Sequence, residues 1–360
     1  MKPKPERLPI PFGPDAFTAE WLSKALRAEV STYTTTVLGT GKGFTGQVVR
    51  LSIRYAAHPK DAPQTVIAKF PPVDSQARLA LNAYRLYEKE AGFYRELAGS
   101  INLRTPTPYY VDVDADTGES VLLLEDLSNA RPLSPLLGLT ADEAEFAVVA
   151  LAKFHASWWE STKLHQYSWL KDFDWNADAH QERYNAIYAK FLQTTRDEIP
   201  RQLADLGDRL RHQVAAVRRE LSRPPITFLH GDFHPNNLFM MDNPRSLAVV
   251  DWQVCSRGRA ARDLMYFISA ALPLEARRAS DIDLIRKYHA VLSAQGVTAY
   301  SLDQCIHDCR LALLDLMFFM VTVICLLDFD VNDEARGIRT LILERLGGAI
   351  LDHRAEELLP

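Results

Sequence analysis

The chain has 360 residues, 47% of them hydrophobic and 24% charged, with a net charge of −5 and a pI near 6.1. That length buries a large core and suits two lobes, and the mild acidity argues against a nucleic-acid partner or a generally cationic surface. Four scattered cysteines, Cys255, Cys305, Cys309 and Cys325, are too few for a disulfide framework, so a reducing, cytoplasmic setting is expected.

The first residues, Met1-Lys2-Pro3-Lys4-Pro5-Glu6, carry charge but no following apolar run, so no secretory signal is expected. Residues 37–55 read as two strands around a turn rich in glycine (Gly39, Gly41, Gly43, Gly46). The second strand, from Val49, alternates apolar and polar residues. Such a turn, here Gly43-Phe44-Thr45-Gly46, can fold over nucleotide phosphates because its backbone approaches without a Cβ; a plain hairpin fits the same residues equally well.

Residues 65–70 form a strand that carries Lys69 near its end, in a V-I-A-K string. Residues 74–97 then predict a helix with Leu86, Glu90, Phe93, Tyr94 and Leu97 on one face. A carboxylate on an apolar stripe is costly without a cation, and Lys69 is the natural partner for Glu90. Glu88 and Glu96 fall off that face and are expected to be solvated.

Two more strands, around 109–113 and 120–124, make five strands and one helix, enough for a small N-terminal lobe. The polar switch at Glu125-Asp126-Leu127-Ser128-Asn129 suits a hinge, where backbone groups of Glu125 and Leu127 could hold a nucleobase. The expected division is therefore 1–124, a hinge at 125–129, and a mainly helical 130–360.

Beyond the hinge, Thr140 and Glu143 form a capping-box signature before a helix that places Ala147, Leu151, Phe154 and Trp158 on one face. His155 beside that face reads as a hydrogen-bonded core histidine. One or two long charged helices are expected over 178–223, a candidate acceptor-binding insertion. The apolar stretch 316–327 is too short to span a bilayer, so a buried helix is predicted and no membrane partner. Cys305 and Cys309 lack a second ligand pair for zinc.

The most informative string is His230-Gly231-Asp232-Phe233-His234-Pro235-Asn236-Asn237, followed fourteen residues later by Asp251 at the end of an apolar strand. An Asp, an Asn five positions on and a strand-borne Asp are the groups that metal-assisted phosphoryl transfer requires. Asp232 could accept a hydroxyl proton, and Asn237 and Asp251 could hold Mg²⁺. Asp263, in the helix that opens after Arg262, would accept backbone N–H groups of that loop.

With Glu90-Ala91-Gly92-Phe93-Tyr94, Leu124-Glu125-Asp126-Leu127, the 230–237 string and Val250-Asp251-Trp252-Gln253 in place, the chain resembles the aminoglycoside phosphotransferase/choline kinase superfamily over roughly residues 35–350. The nearest branch is the ecdysteroid-kinase-like one. That resemblance implies an α+β, protein-kinase-like two-lobed fold and ATP with Mg²⁺ as cofactors. It implies Lys69 on the phosphates with Glu90 as its partner, the turn through Gly43, Phe44, Thr45 and Gly46 as a cover, Asp232 as base, and Asn237 and Asp251 as metal ligands. Asp-Trp-Gln replaces the Asp-Phe-Gly of protein kinases, and no activation loop follows Asp251, so a protein substrate is not expected.

The expected reaction is transfer of a γ-phosphoryl group to the hydroxyl of a small molecule, steroid- or polyketide-like given Trp158, Trp159, Trp169 and Trp175. The protein is expected to act as a monomer or homodimer. An aminoglycoside or macrolide phosphotransferase is the alternative, its acidic acceptor pocket drawn from Asp328, Asp330, Asp333 and Glu334. A catalytically inactive nucleotide-binding regulator is the alternative of another class.

Overall fold

The computed structural model describes residues 7–38, 46–57, 59, 61–196, 198–242, 244–329 and 331–359, without the side chain of Glu334. In chain order the elements are α1 (Ala19–Leu26), β1 (Val30–Leu38), β2 (Gln47–Tyr55), β3 (Thr65–Phe70), α2 (Ser75–Asn82), α3 (Leu86–Gly92), β4 (Pro108–Val113) and β5 (Ser120–Glu125). They continue with β6 (Arg131–Pro132), α4 (Ala141–Ser157), α5 (Ala177–Thr194), α6 (Arg201–Leu210), α7 (Val214–Leu221), β7 (Thr227–Leu229), β8 (Leu238–Asp242), β9 (Arg245–Val249) and β10 (Ser256–Gly258). The last are α8 (Ala261–Ala271), α9 (Leu274–Ala294), α10 (Leu302–Leu326) and α11 (Asp333–Asp352). The fold is α+β: an antiparallel sheet in the N-terminal part, helices in the C-terminal part.

The chain divides into two compact units, Met1–Arg131 with Met241–Val254, and Pro132–Met240 with Cys255–Pro360. In the first, a five-stranded sheet has the order β1-β2-β3-β5-β4, with Leu51 opposite Val66 and Lys69 opposite Leu122. The period of two decides which way each side chain faces. Val49, Leu51 and Ile53 of β2 and Val66, Ala68 and Phe70 of β3 pack with Phe17, Trp21 and Leu22 around α1 into one core. Lys69, out of phase with that set, is turned to the opposite face. The first strand begins at Val30, well before the predicted 37, because its outward residues are threonines, which blur an apolar alternation.

The helix expected over 74–97 is broken. Asp74 caps α2 by accepting from the Ala77 N–H at 2.7 Å, and Arg85 adopts a left-handed φ of 57° before α3 begins. A π-turn, Phe93–Leu97, extends α3, so the apolar face of Leu86, Phe93, Tyr94 and Leu97 is buried although the helix is not continuous. Residues 241–254 join this first unit, which differs from a division at the hinge alone. Ala248 of β9 bridges Arg104 in parallel, Val249 N–H donates to Arg104 O at 2.9 Å, and Trp252 stacks on Phe93 at 3.9 Å and 7°.

In the second unit α10 is the central helix, packed by α5, α7, α8, α9 and α11. It is long enough to cross a membrane and holds an 18-residue window of mean hydropathy 2.2, but 72% of that window is buried inside the structure, as a core helix requires. It reaches fourteen residues further back than the predicted apolar stretch because its early charges are neutralised inside: Asp308 accepts from Arg259 at 2.7 Å, and Asp315 accepts from Arg218 and Arg262. The capping box of Thr140 and Glu143 starts α4 as its residues predict. Three helices, α5 to α7, replace the one or two expected over 178–223, and Pro200 stands at the N-cap of α6. Trp158 and Trp169 are core residues, Trp158 lying edge-on to Phe228. They do not serve the apolar acceptor surface for which the sequence enlisted them.

Candidate active site

Each unit holds a charged cluster that contains residues singled out by the sequence. In the first, the Lys69 ammonium donates to Glu90 Oε1 at 2.6 Å and to Asp251 Oδ1 at 3.2 Å. The pairing predicted from the shared helix face is therefore present, with Asp251 as a second acceptor. Lys69 and Asp251 keep 20% and 26% of their side-chain surface exposed while Glu90 keeps 4%, so the two that could meet a ligand are the accessible ones. Burial pulls the Lys69 pKa down, but Asp251 and Glu90 outweigh it and hold the ammonium above its ordinary value. Glu90 is pushed up by burial and by the like charge of Asp251, against the attraction of Lys69.

Asp251 has a left-handed φ of 67°, a conformation that a short polar side chain tolerates and that turns the chain sharply after β9. The next residue anchors that turn. Trp252 is fully buried, its ring stacked on Phe93 and its Nε1–H donating to Val249 O at 3.2 Å, while its backbone N–H donates to Glu90. Aromatic stacking thus ties the Asp251 turn to the segment that carries Glu90. One group here was not singled out by the sequence. The Tyr94 hydroxyl is buried beside Glu90 and Asp251 and has no hydrogen-bond partner among the described residues.

Three of the proposed phosphate-covering residues, Gly43, Phe44 and Thr45, lie outside the described residues, as does Asp330. Gly46 is described, and a Cβ there would come within 2.0 Å of Phe70 O, so only glycine lets β2 begin this close to the end of β3. At the hinge, the Glu125 carboxylate accepts from the Thr107 N–H at 3.0 Å and from Arg104 at 2.5 Å. Glu125 N–H donates to Thr107 O, and Leu127 O accepts from Ala130 N–H. Those two backbone groups are therefore already engaged.

In the second unit, the pairing of β7 with β10, Leu229 opposite Ser256, leads the chain into the 230–237 loop. Asp263 holds that loop by its backbone: His230 N–H donates to Oδ2 at 2.7 Å and Gly231 N–H to Oδ1 at 2.9 Å. Gly231 has φ 84°, which favours glycine. Behind Asp263 stands buried His155, which contacts its Oδ2 at 3.4 Å and the Tyr288 hydroxyl at 2.6 Å. It is the hydrogen-bonded core histidine that its position predicts.

Asp232 is surrounded by donors. Asn237 Nδ2 donates to its Oδ2 at 2.9 Å and to its carbonyl at 3.0 Å, and His234 Nε2 lies 3.4 Å from Oδ2. The Tyr266 hydroxyl donates to it as well. Burial alone would raise the Asp232 pKa; His234, His230 and Asn237 more than reverse that and hold it well below the usual carboxylate range. Tyr266 escapes a motif search because it lies on α8, thirty-four residues from Asp232. A helical spacing of three from Asp263 is its sequence signal.

Asp328 is exposed and Asp333 is 98% exposed and paired with Arg336, so neither contributes to a buried acidic pocket. Among the described residues no group of three or more His, Cys, Asp or Glu could hold a metal ion.

No curated protein matches the sequence significantly. Several solved structures share the fold. An ethanolamine kinase from Plasmodium vivax superposes with a TM-score of 0.57 at 12% identity, over 93% of this chain and 87% of that one. A choline kinase from Cryptosporidium parvum gives 0.53 at 13% identity, over 90% and 92%. An aminoglycoside 2'-phosphotransferase-IIIa, determined as its GDP complex, gives 0.52 at 16% identity, over 89% and 92%. These neighbours are small-molecule kinases, and the likeness establishes the protein-kinase-like fold. Residues 40–297 match the sequence profile of the ecdysteroid kinase-like family, and the chain belongs to that family.

Proposed function

We propose that the protein transfers the γ-phosphoryl group of ATP to a hydroxyl of a small-molecule acceptor, with Mg²⁺ as cofactor. The observation that carries this is Lys69 shared between buried Glu90 and accessible Asp251. A lysine held charged and oriented by two carboxylates is what polyphosphate binding needs, and a merely structural pair would not leave its cation and one acceptor accessible.

Each of the two proposed ligands, taken by itself, is of a type that Mg²⁺ accepts. Asp251 offers a carboxylate, and Asn237, with its amide N–H groups spent on Asp232, offers Oδ1; both are hard oxygen ligands. When bound, Mg²⁺ neutralises phosphate charge. Lys69 binds the phosphates as a point charge. Asp232, ionised and held by Asn237, His234 and Tyr266, orients the acceptor hydroxyl and takes its proton. Its depressed pKa makes it a weak base, which suits a loose transition state in which proton removal comes late.

The test is an ATP- and GTP-consumption screen against hydroxylated metabolites and antibiotics, with the phosphate ester identified by mass spectrometry and Asp232→Ala as the blank. Turnover lost in Asp232→Ala with nucleotide binding retained supports the proposal. An Asp232→Ala enzyme that phosphorylates the same acceptor at near wild-type rate refutes it.

A further inference from the structure

Glu90 and Asp251 share the Lys69 ammonium, which donates to Glu90 Oε1 at 2.6 Å and to Asp251 Oδ1 at 3.2 Å. Glu90 also accepts from the Trp252 backbone N–H. Tyr94 stands four residues beyond Glu90, on the π-turn that extends α3, and is 3% exposed. Its hydroxyl is buried and has no hydrogen-bond partner among the described residues. Burial, then the negative charges of Glu90 and Asp251, raise its pKa well above the ordinary tyrosine value. The hydroxyl therefore keeps its proton and can meet either carboxylate as a donor.

Packing fixes the ring that carries it. Tyr94 meets Phe93 edge-on at 5.2 Å, and Phe93 stacks on Trp252 at 3.9 Å. Trp252 directly follows Asp251, so the hydroxyl belongs to the same frame as both carboxylates while bonding neither. A phenylalanine would fill this space without burying an oxygen that lacks a partner.

We infer that Tyr94 is a positioning residue whose hydroxyl takes up the hydrogen bond that Glu90 loses when Lys69 turns to a polyphosphate. The inference rests on the reading of Lys69 as the phosphate-binding cation. The Lys69 side chain is 20% exposed and that of Glu90 4%, so the ammonium can meet a ligand while the carboxylate stays inside the protein. A buried carboxylate that loses its cation is costly unless another donor reaches it. Residues four apart on a helical face are neighbours, so rotation of the Glu90 side chain brings it to the Tyr94 hydroxyl. Asp251 needs no such donor, because its side chain is 26% exposed and water reaches it. A hydroxyl idle in the free protein thus lowers the cost of moving the cation onto phosphate.

The test combines melting curves of the free full-length protein with calorimetric titration of ATP in the presence of Mg²⁺. Tyr94→Phe alone should leave the melting temperature of the free protein at or above wild type. In a Lys69→Met background, where Glu90 has lost its cation for good, the same change should lower the melting temperature by about 2 °C or more. With Lys69 present, Tyr94→Phe should weaken ATP binding by about tenfold, the worth of a hydrogen bond to a charged group. A Tyr94→Phe protein that melts below wild type on its own overturns the inference, since the hydroxyl would then be bonded before any ligand arrives. An equal effect in the two backgrounds overturns it as well. The two proposals separate at the titration. Wild-type protein that binds no ATP sinks the phosphotransferase reading and the nucleotide-linked role with it, whereas ATP binding that Tyr94→Phe leaves unaltered sinks the inference alone.

Discussion

The two charged clusters are held by different kinds of bond. In the first unit, Lys69, Glu90 and Asp251 are fixed mainly by one another, charge against charge on side chains that remain partly exposed. In the second, Asp232 sits on a loop whose backbone N–H groups are gripped by fully buried Asp263, itself backed by His155 and Tyr288. The first arrangement lets a ligand compete for the cation. The second spends its polar groups on holding one backbone shape. A group that binds a mobile polyanion must be able to exchange partners, whereas a group that orients a hydroxyl must not move.

That contrast breaks most sharply at two aspartates. Asp232→Ala should cut turnover by about 10²- to 10⁴-fold while thermal stability and nucleotide affinity stay near wild type, read by steady-state kinetics beside a melting curve. Asp263→Ala should do the reverse in kind. Removing the acceptor of two backbone N–H groups, and the partner of His155, costs about 3 to 5 kcal/mol in denaturant unfolding. A loss under about 1 kcal/mol there would show that the loop is not held by Asp263.

Next comes the lysine. Lys69→Met should raise the KM for ATP by at least about tenfold, with a smaller stability loss than Asp263→Ala. Its pH dependence has a definite sign. Glu90 already has a raised pKa, and without Lys69 it rises further. A group whose folded pKa exceeds its unfolded one contributes stability below the unfolded value, about pH 4.3, and loses it as pH rises through the folded value. The Lys69→Met variant should therefore fall further below wild type from pH 5 to pH 8. A constant offset over that range would refute this.

The second unit should show the opposite slope. Burial would raise the pKa values of Asp263 and Asp315, but His155 for the one, and Arg218 with Arg262 for the other, hold them below their ordinary value. Their stabilisation is complete above about pH 4 and drains away as pH falls through the folded values. Asp315→Asn should flatten the acid limb of an unfolding titration followed by tryptophan fluorescence. The smallest effect belongs to Tyr94→Phe. Deleting a buried hydroxyl that has no partner should leave stability unchanged or raise it by about 1 kcal/mol. A stability loss above 1 kcal/mol would show that the hydroxyl is bonded after all.

Much of this was legible from side-chain chemistry and periodicity. Lys69 and Glu90 could be paired because a carboxylate on an apolar helix face demands a cation, and that demand is local. The capping box at Thr140 and the core role of His155 were readable for the same reason. Where the sequence misled, the cause was non-local. The Thr-rich β1 hid its strand because its outward face is polar. The helix over 74–97 kept its apolar face through a break at Arg85 that no proline or glycine marks. Trp158 and Trp169 were assigned to an acceptor surface because composition alone cannot tell a core aromatic from a binding one.

The order of Asp232, Asn237 and Asp251, the lysine and its glutamate, and the family to which the chain belongs are written in the sequence, because short spacings and residue types carry them. Only the tertiary structure decided that Asp251 is a second partner of Lys69, since 182 residues separate the two. It alone decided that Trp252 locks to Phe93, and that Arg218 and Arg262 share a single carboxylate beside the ring that touches Asp232. Those contacts join residues from different elements of each unit. Their charge balance exists only once packing has removed water from between them.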